Sequence, residues 1–464
     1  MDIIYNVLAF IAAIGILVTI HEFGHYWVAR LCGVKVLRFS VGFGKPLWIK
    51  KAGQDQTEYA LAAIPLGGYV KMLDEREGEV AEHELDRAFN RQHVSKRFAI
   101  VAAGPLFNFL FAIAAYSLMY INGVNGIKPY IGEVINPSIA WSAGVKDKDL
   151  IMSVNGIETL SWEKARLTLM QEAVDGSPLN IQVQSKDFQI RDLLLDISSL
   201  NFLQNEQTDL LTQIGFGMWR PQIPPQIDEV IPGGAAEASG LKAGDKIVAL
   251  HDKSISNIRQ WVDEIRANAD VDMQLVVMRD GQRVNLQITP RLKQDEGQQI
   301  GYIGVKNVVV LPEELRRQLR VTEQYGVVDA TLEAINKTWQ MSLLTLKVLG
   351  KLVIGEASVK NLSGPITIAK YAGLSAQIGF EQFFAFLAII GISLGVLNLL
   401  PVPMLDGGHL LFYAIEAIIG RPVKAIVQEY SFRFGLGLVL LLMVFATWND
   451  VKITVIESIR NFIT

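Results

Sequence analysis

The chain has 464 residues, half of them apolar, and only 19% carry a charge, against about 25% in a typical soluble domain. Its net charge of −4 excludes a general nucleic-acid binder, and a single cysteine, Cys32, excludes a disulfide scaffold or an all-cysteine metal site. With a mean hydropathy of +0.28, much of the chain is expected to lie in a membrane.

Four apolar stretches are long enough, or nearly so, to cross about 30 Å of hydrocarbon, which takes about 20 helical residues. The first, Ile3 to about Ala29, fills residues 1–30. Its start carries Asp2, no basic region and no small-residue cleavage site, so an uncleaved anchor is expected in place of a removable signal peptide. Residues 31–97 follow, with short strands between Gly-rich turns over 40–72, Thr57 to Ala62 being the best of them. Arg30, Lys35, Arg38 and Lys45 come after the first span with no acid among them, and Arg91, Lys96 and Arg97 precede the second. Such an excess of Lys and Arg marks the cytoplasmic side. The second span (98–121) then delivers residues 122–381 to the outer side. The third (382–400) returns the chain to the cytoplasm, a segment at 401–433 follows, and the fourth (434–447) leads out to a tail at 448–464.

The outer stretch contains a repeat. IGEVINPSIAWSAGVKDKD begins at Ile131 and IDEVIPGGAAEASGLKAGD at Ile227, an offset of 96 that aligns Glu133 with Glu229, Gly144 with Gly240 and Asp149 with Asp245. Each copy continues with a short apolar run and then a tryptophan, Trp162 or Trp261. A period this long holds a whole core, so two compact β-rich modules are expected at 127–217 and 222–309. By its GLKAGD-Ile-Val sequence the second resembles a PDZ domain, and the first is a more divergent relative. In the outer-side helical segment 310–381, residues 339–354 are apolar, but Lys347 and Lys351 would sit mid-membrane at several kcal/mol each. An amphipathic helix on the membrane surface is expected there.

His21-Glu22-Phe23-Gly24-His25 lies near the inner end of the first span. Histidines at i and i+4 share a helix face, so both imidazoles reach one Zn²⁺, and the glutamate beside them can take a proton from an attacking water. Ionisable groups are costly at that depth and functional by default. A catalytic zinc needs a third protein ligand. In Asn398-Leu-Leu-Pro-Val-Pro-Met-Leu-Asp406-Gly-Gly-His409 two prolines end the third span, and Asp-Gly-Gly allows a sharp turn. A break at membrane depth is tolerated only where it is buried or lines a cavity. Asp406 is the expected third ligand, with His409 as its competitor. Depth agrees: 18 residues separate Ile3 from His21 and 16 separate Gln382 from Asn398, ~27 and ~24 Å of helix in one direction. That holds only if the insert crosses the membrane an even number of times.

HEFGH in a first span, GPLFNF at Gly104–Phe109, paired PDZ-like modules, SGPITIA at Ser363–Ala369 and NLLPVPMLDGG from Asn398 resemble the site-2 protease family of intramembrane zinc metalloproteases. The resemblance covers essentially the whole chain. It implies a multi-pass α-helical membrane protein with four transmembrane helices and two β-rich PDZ-like domains inserted on the outer side, in a bacterial inner membrane. It implies Zn²⁺ on His21, His25 and Asp406, with Glu22 as catalytic base. It further implies that Asn398 assists the tetrahedral intermediate or positions substrate, a role in which Tyr69 joins it. Residues 40–72 then offer a strand edge to an unwound substrate, which otherwise hides its peptide bonds in helical hydrogen bonds; a plain cytoplasmic cover domain is the other reading. Asn108 is open between a hydrogen bond to substrate and helix packing.

The function expected is an intramembrane zinc endopeptidase, acting as a monomer in membrane lipid on single-pass proteins. The resemblance implies a pre-trimmed anti-sigma factor and remnant signal peptides as substrates. A membrane-anchored PDZ adaptor without catalysis and a metal-binding transporter are the rivals, and bound stoichiometric zinc separates the first of them from the enzyme.

Overall fold

The computed structural model describes residues 2–463 apart from 199, 201–202, 205–208, 224, 252, 296–297, 309 and 359–363, so Ser363 of the SGPITIA motif lies outside the described residues. Among these, four helices are long and apolar enough to cross a membrane. In chain order the long helices are α1 (Asp2–Leu31), α2 (Val94–Asn122), α3 (Trp162–Ala173), α4 (Ile258–Ala267), α5 (Val327–Val353), α6 (Pro365–Ile378), α7 (Phe380–Leu399), α8 (Asp406–Ile419) and α9 (Ala425–Ile463). The four are α1, α2, α7 and α9. Only 6% of the apolar window of α9 is buried against protein, so its apolar side chains face outward, as a lipid-exposed helix requires.

Helices α1 and α7 run parallel. Leu17 meets Gly391, and His21, one turn further on, meets Asp406 just past the end of α7. The chain therefore leaves α2 and re-enters α7 at the same end of the bundle, as the depth comparison requires. At that end Asn6 of α1 abuts Gly373 of α6. Asp450 of α9 accepts hydrogen bonds from the backbone N–H groups of Gly364, Ile366 and Thr367, which are 2.9–3.1 Å away, and from the Thr367 hydroxyl at 2.7 Å. A carboxylate on the orphan donors of a helix start is favourable on both hydrogen-bond and dipole grounds. The segment 401–433 contains the helix α8: the two prolines turn the chain, and Asp406 opens a helix where Asp-Gly-Gly suggested a turn.

The strands β1 (Val36–Ala52) and β2 (Thr57–Met72) each bend back, so four runs lie side by side in the order 46–52, 57–62, 36–41, 68–72. Thr57 to Ala62, the clearest strand in the sequence, is thus paired on both sides, and the free edge beside α1 belongs to 68–72.

The two modules of the repeat have matching cores. In the first, the strands Ile157–Glu158, Leu150–Val154, Leu179–Gln184 and Ile190–Leu195 lie in that order, closed by α3. In the second, Gln282–Ile288, Met273–Arg279, Lys246–Leu250, Gln226–Val230 and Val305–Val308 lie in order, closed by α4. Leu179–Gln184 and Met273–Arg279 bury alternate residues, the period-two signature of a half-buried strand. The repeated aspartates do the same work in both copies. Asp149 accepts from the Lys146 N–H and pairs with Arg191, while Asp245 accepts from the Lys242 N–H and pairs with Arg279. Helix α5 docks on the first module through Lys164–Glu333 (2.8 Å), Lys337–Glu163 (2.7 Å) and Lys347–Asp175 (2.7 Å). Lys337 and Lys347 are held by module carboxylates and Lys351 by Glu356 just past the helix, and α5 is not among the four apolar helices.

Candidate metal centre

The HEFGH run is continuous α-helix, so the i, i+4 spacing stacks both imidazoles on one face, their Nε2 atoms 3.2 Å apart. Asp406 arrives from the other half of the chain. Pro401 and Pro403 prevent α7 from continuing, Met404 takes a left-handed φ of +94°, and Asp406 is the first residue of α8. A Cβ on Gly407 would stand 2.0 Å from the Leu400 carbonyl oxygen, so only glycine lets this turn fold onto the helix start. The Asp406 carboxylate then lies 3.1 Å from His21 Nε2 and 3.6 Å from His25 Nε2.

A tetrahedral zinc with bonds of about 2.0–2.1 Å holds its ligand atoms about 3.3 Å apart. The donor set here is two imidazole nitrogens 3.2 Å apart and a carboxylate whose Oδ2 lies 3.1 Å from His21 Nε2 and whose Oδ1 lies 3.6 Å from His25 Nε2, one donor atom from each residue falling within 4.8 Å of the other two. It has the chemistry and the spacing of three corners of that tetrahedron. Side-chain exposures of 14%, 12% and 19% leave the cluster largely buried but still reachable.

Helix α2 forms the back wall. His25 Nδ1 lies 2.9 Å from the Ile100 carbonyl oxygen, next to the turn whose ladder Pro105 interrupts by lacking an N–H. Gly104 sits directly under both rings, where a Cβ would stand 2.3 Å from His25 Nε2 and 2.8 Å from His21 Cε1. Asn108, 1% exposed, brings its carboxamide within 3.3 Å of His21 Nδ1. Glu22 packs against Gly68 on the free strand edge, close enough that a Cβ there would meet its Cγ at 3.0 Å.

His21, Glu22, His25, Gly68 and Asp406 line a cavity of about 410 Å³. Tyr69 lines it, its hydroxyl accepting from Arg38 at 3.1 Å and its ring stacked on Phe43. His409 also lines it but stands outside the three-ligand cluster. Asn398, half-buried in the last turn of α7, is not among the residues lining it. Sequence reasoning took Arg97 only as a topology charge. It instead grips Glu416 of α8 through both terminal nitrogens, at 2.6 and 3.2 Å, and ties the start of α2 to the helix that carries Asp406. Gly104 was equally hidden, although a Gly-Pro pair inside an apolar span is a visible sign of close helix approach.

Comparison with known proteins agrees with this geometry. The model of peptidase family M50 matches residues 9–442. The chain is similar to the regulator of sigma-E protease RseP of Escherichia coli K12, 43% identical over 97% of this chain and 99% of that protein. It is 44% identical to the regulator of sigma E protease of Salmonella typhi and to protease RseP of Yersinia pestis, over 97% of this chain and 99% of each relative. The chain belongs to peptidase family M50, the site-2 proteases, and is a zinc metalloprotease of that family.

Proposed function

We propose that the chain cleaves single-pass membrane proteins within or near their spans, with zinc on His21, His25 and Asp406 and Glu22 as the base. The observation that carries the assignment is the triangle of donor atoms, all within 4.8 Å of one another, beside Glu22 in one cavity. When bound, zinc supplies Lewis acidity for the peptide carbonyl and for an attacking water. Glu22 takes the proton from that water and is placed to pass it to the leaving amine. The strand edge at 68–72, one residue of which touches Glu22, pairs with the unwound substrate and replaces the helical hydrogen bonds that shield its peptide links. Tyr69 borders that path, and its ring is fixed by Phe43 and Arg38. Asn398 has no place in the lining, so its support of the reaction acts through the end of α7.

The two modules, read as PDZ-like on the outer side of a bacterial inner membrane, hold back partners with large outer domains and admit trimmed ones. The relatives' name, regulator of sigma-E protease, supports a trimmed anti-sigma factor as substrate class. Purified full-length protein should contain one zinc per chain and cleave a single-pass model peptide. Chelation should abolish cleavage, and zinc should restore it. Cleavage that persists after zinc is stripped would exclude this mechanism.

A further inference from the structure

Asn108 faces the metal centre from the buried side of α2, and nothing in the proposed chemistry uses it. Its side chain is 1% exposed, its carboxamide nitrogen lies 3.3 Å from His21 Nδ1, and its carboxamide oxygen is buried without a hydrogen-bond partner. The two imidazoles turn Nε2 toward Asp406. A neutral imidazole that gives its Nε2 lone pair to a cation keeps its proton on Nδ1 and needs an acceptor there. His25 has one, the Ile100 carbonyl at 2.9 Å. For His21, the group within reach is Asn108. The two ends of a carboxamide are interchangeable in shape, and a half-turn about χ2 puts the orphan oxygen where the nitrogen stands. One rotation thus gives the oxygen its partner and His21 Nδ1–H its acceptor, and moves the carboxamide nitrogen to the place the oxygen held.

We infer that Asn108 is a positioning residue for the metal, its side-chain oxygen accepting from His21 Nδ1–H and fixing the tautomer and tilt with which His21 presents Nε2. This rests on the zinc assignment proposed above. It differs from both roles open to Asn108 in the sequence, since substrate contact leaves zinc affinity unchanged and packing asks only for volume.

The test compares Asn108→Leu and Asn108→Asp, both close to asparagine in size, in full-length protein in detergent micelles. Zinc affinity is read by competition with a chromophoric chelator, alongside Tm of the metal-free protein and KM and kcat on a model transmembrane peptide. The leucine variant should fold and bind zinc about 10–100-fold more weakly. The aspartate variant, which keeps an acceptor oxygen, should bind zinc at least as tightly as the parent. Equal affinities in the parent and both variants would overturn the inference, as would a higher KM with unchanged zinc binding. His21→Ala is the control for the underlying assignment. If zinc binding survives that change, the ligand assignment fails and the inference with it; if His21→Ala loses zinc while Asn108→Leu does not, only the inference fails.

Discussion

Replacing Gly104 by alanine puts one methyl group where α2 meets the metal ligands. The new Cβ would lie 2.3 Å from His25 Nε2 and 2.8 Å from His21 Cε1, and ordinary contact begins near 3.4 Å, so a ligand atom must retreat by about 1.1 Å. The two helices approach as closely at the adjacent residues, where a Cβ on Gly24 of α1 would stand 2.5 Å from the Ala103 carbonyl oxygen. Zinc sites tolerate displacements of about 0.2 Å, and a misplacement of about 1 Å costs on the order of 100-fold in rate. The fold should survive. Overpacking costs about 1–3 kcal/mol, offset in part by about 1 kcal/mol of helix propensity gained over glycine. Gly104→Ala should therefore show a Tm within a few degrees of the parent, zinc affinity reduced by about 100-fold and cleavage reduced by at least as much, measured by chelator competition and a peptide assay. Parental zinc affinity and rate would show that the imidazoles do not rest on α2 at this point.

Asp406→Ala reduces the proposed protein ligands from three to two, so zinc content by elemental analysis should fall along with activity. Full occupancy would move the ligand role, first to His409. Arg279→Met in the second module strands the Asp245 carboxylate, 0% exposed and otherwise bonded by Arg279 at 2.7 Å through two nitrogens, and should cost about 3–5 kcal/mol in a denaturant titration of the full chain. Burial pushes the Asp245 carboxyl up, but its bonds to Arg279 and to the Lys242 N–H outweigh this and hold it below its ordinary value. The contribution of this pair to stability is therefore complete above about pH 4, the unfolded aspartate value, and is lost as pH falls through the lower folded value. Acid should thus destabilise the parent more than Arg279→Met. Replacing 127–309 by a short linker removes Glu163, Lys164 and Asp175 from α5 and should lower Tm, yet leave zinc binding and cleavage of a short-tailed peptide intact while admitting a bulky-tailed one. Loss of both cleavages with zinc retained would refute the filter.

What the sequence discloses here is what is local or repeated. HEFGH on an apolar helix places two imidazoles on one face by period alone, and a Pro-x-Pro break followed by Asp-Gly-Gly marks the other half of the centre. The 96-residue offset locates both modules because Glu133/Glu229, Gly144/Gly240 and Asp149/Asp245 coincide at it, whereas the arginine that pairs with each aspartate does not follow that offset. Hidden features depend on which surfaces meet. Nothing in the spacing of Asn108 or Gly104 says that α2 passes under the rings, since an apolar helix offers several faces of equal hydropathy. Strand composition picked out 57–62, but the free edge is set by how the hairpin folds back, and that leaves one side of 68–72 unpaired. Lys347 reads as a charge unsuited to a bilayer, while its partner on the first module, Asp175, lies 172 residues earlier.

The most direct test is Glu22→Gln in the full-length protein, with zinc content and cleavage of a transmembrane peptide measured on the same sample. The amide is nearly isosteric and lies outside the ligand triangle, so zinc should remain at one per chain and Tm should be unchanged. Because the amide cannot accept the proton, cleavage should fall by a factor of about 10²–10⁴. Cleavage at the parental rate with full zinc would contradict the assignment of Glu22 as the base.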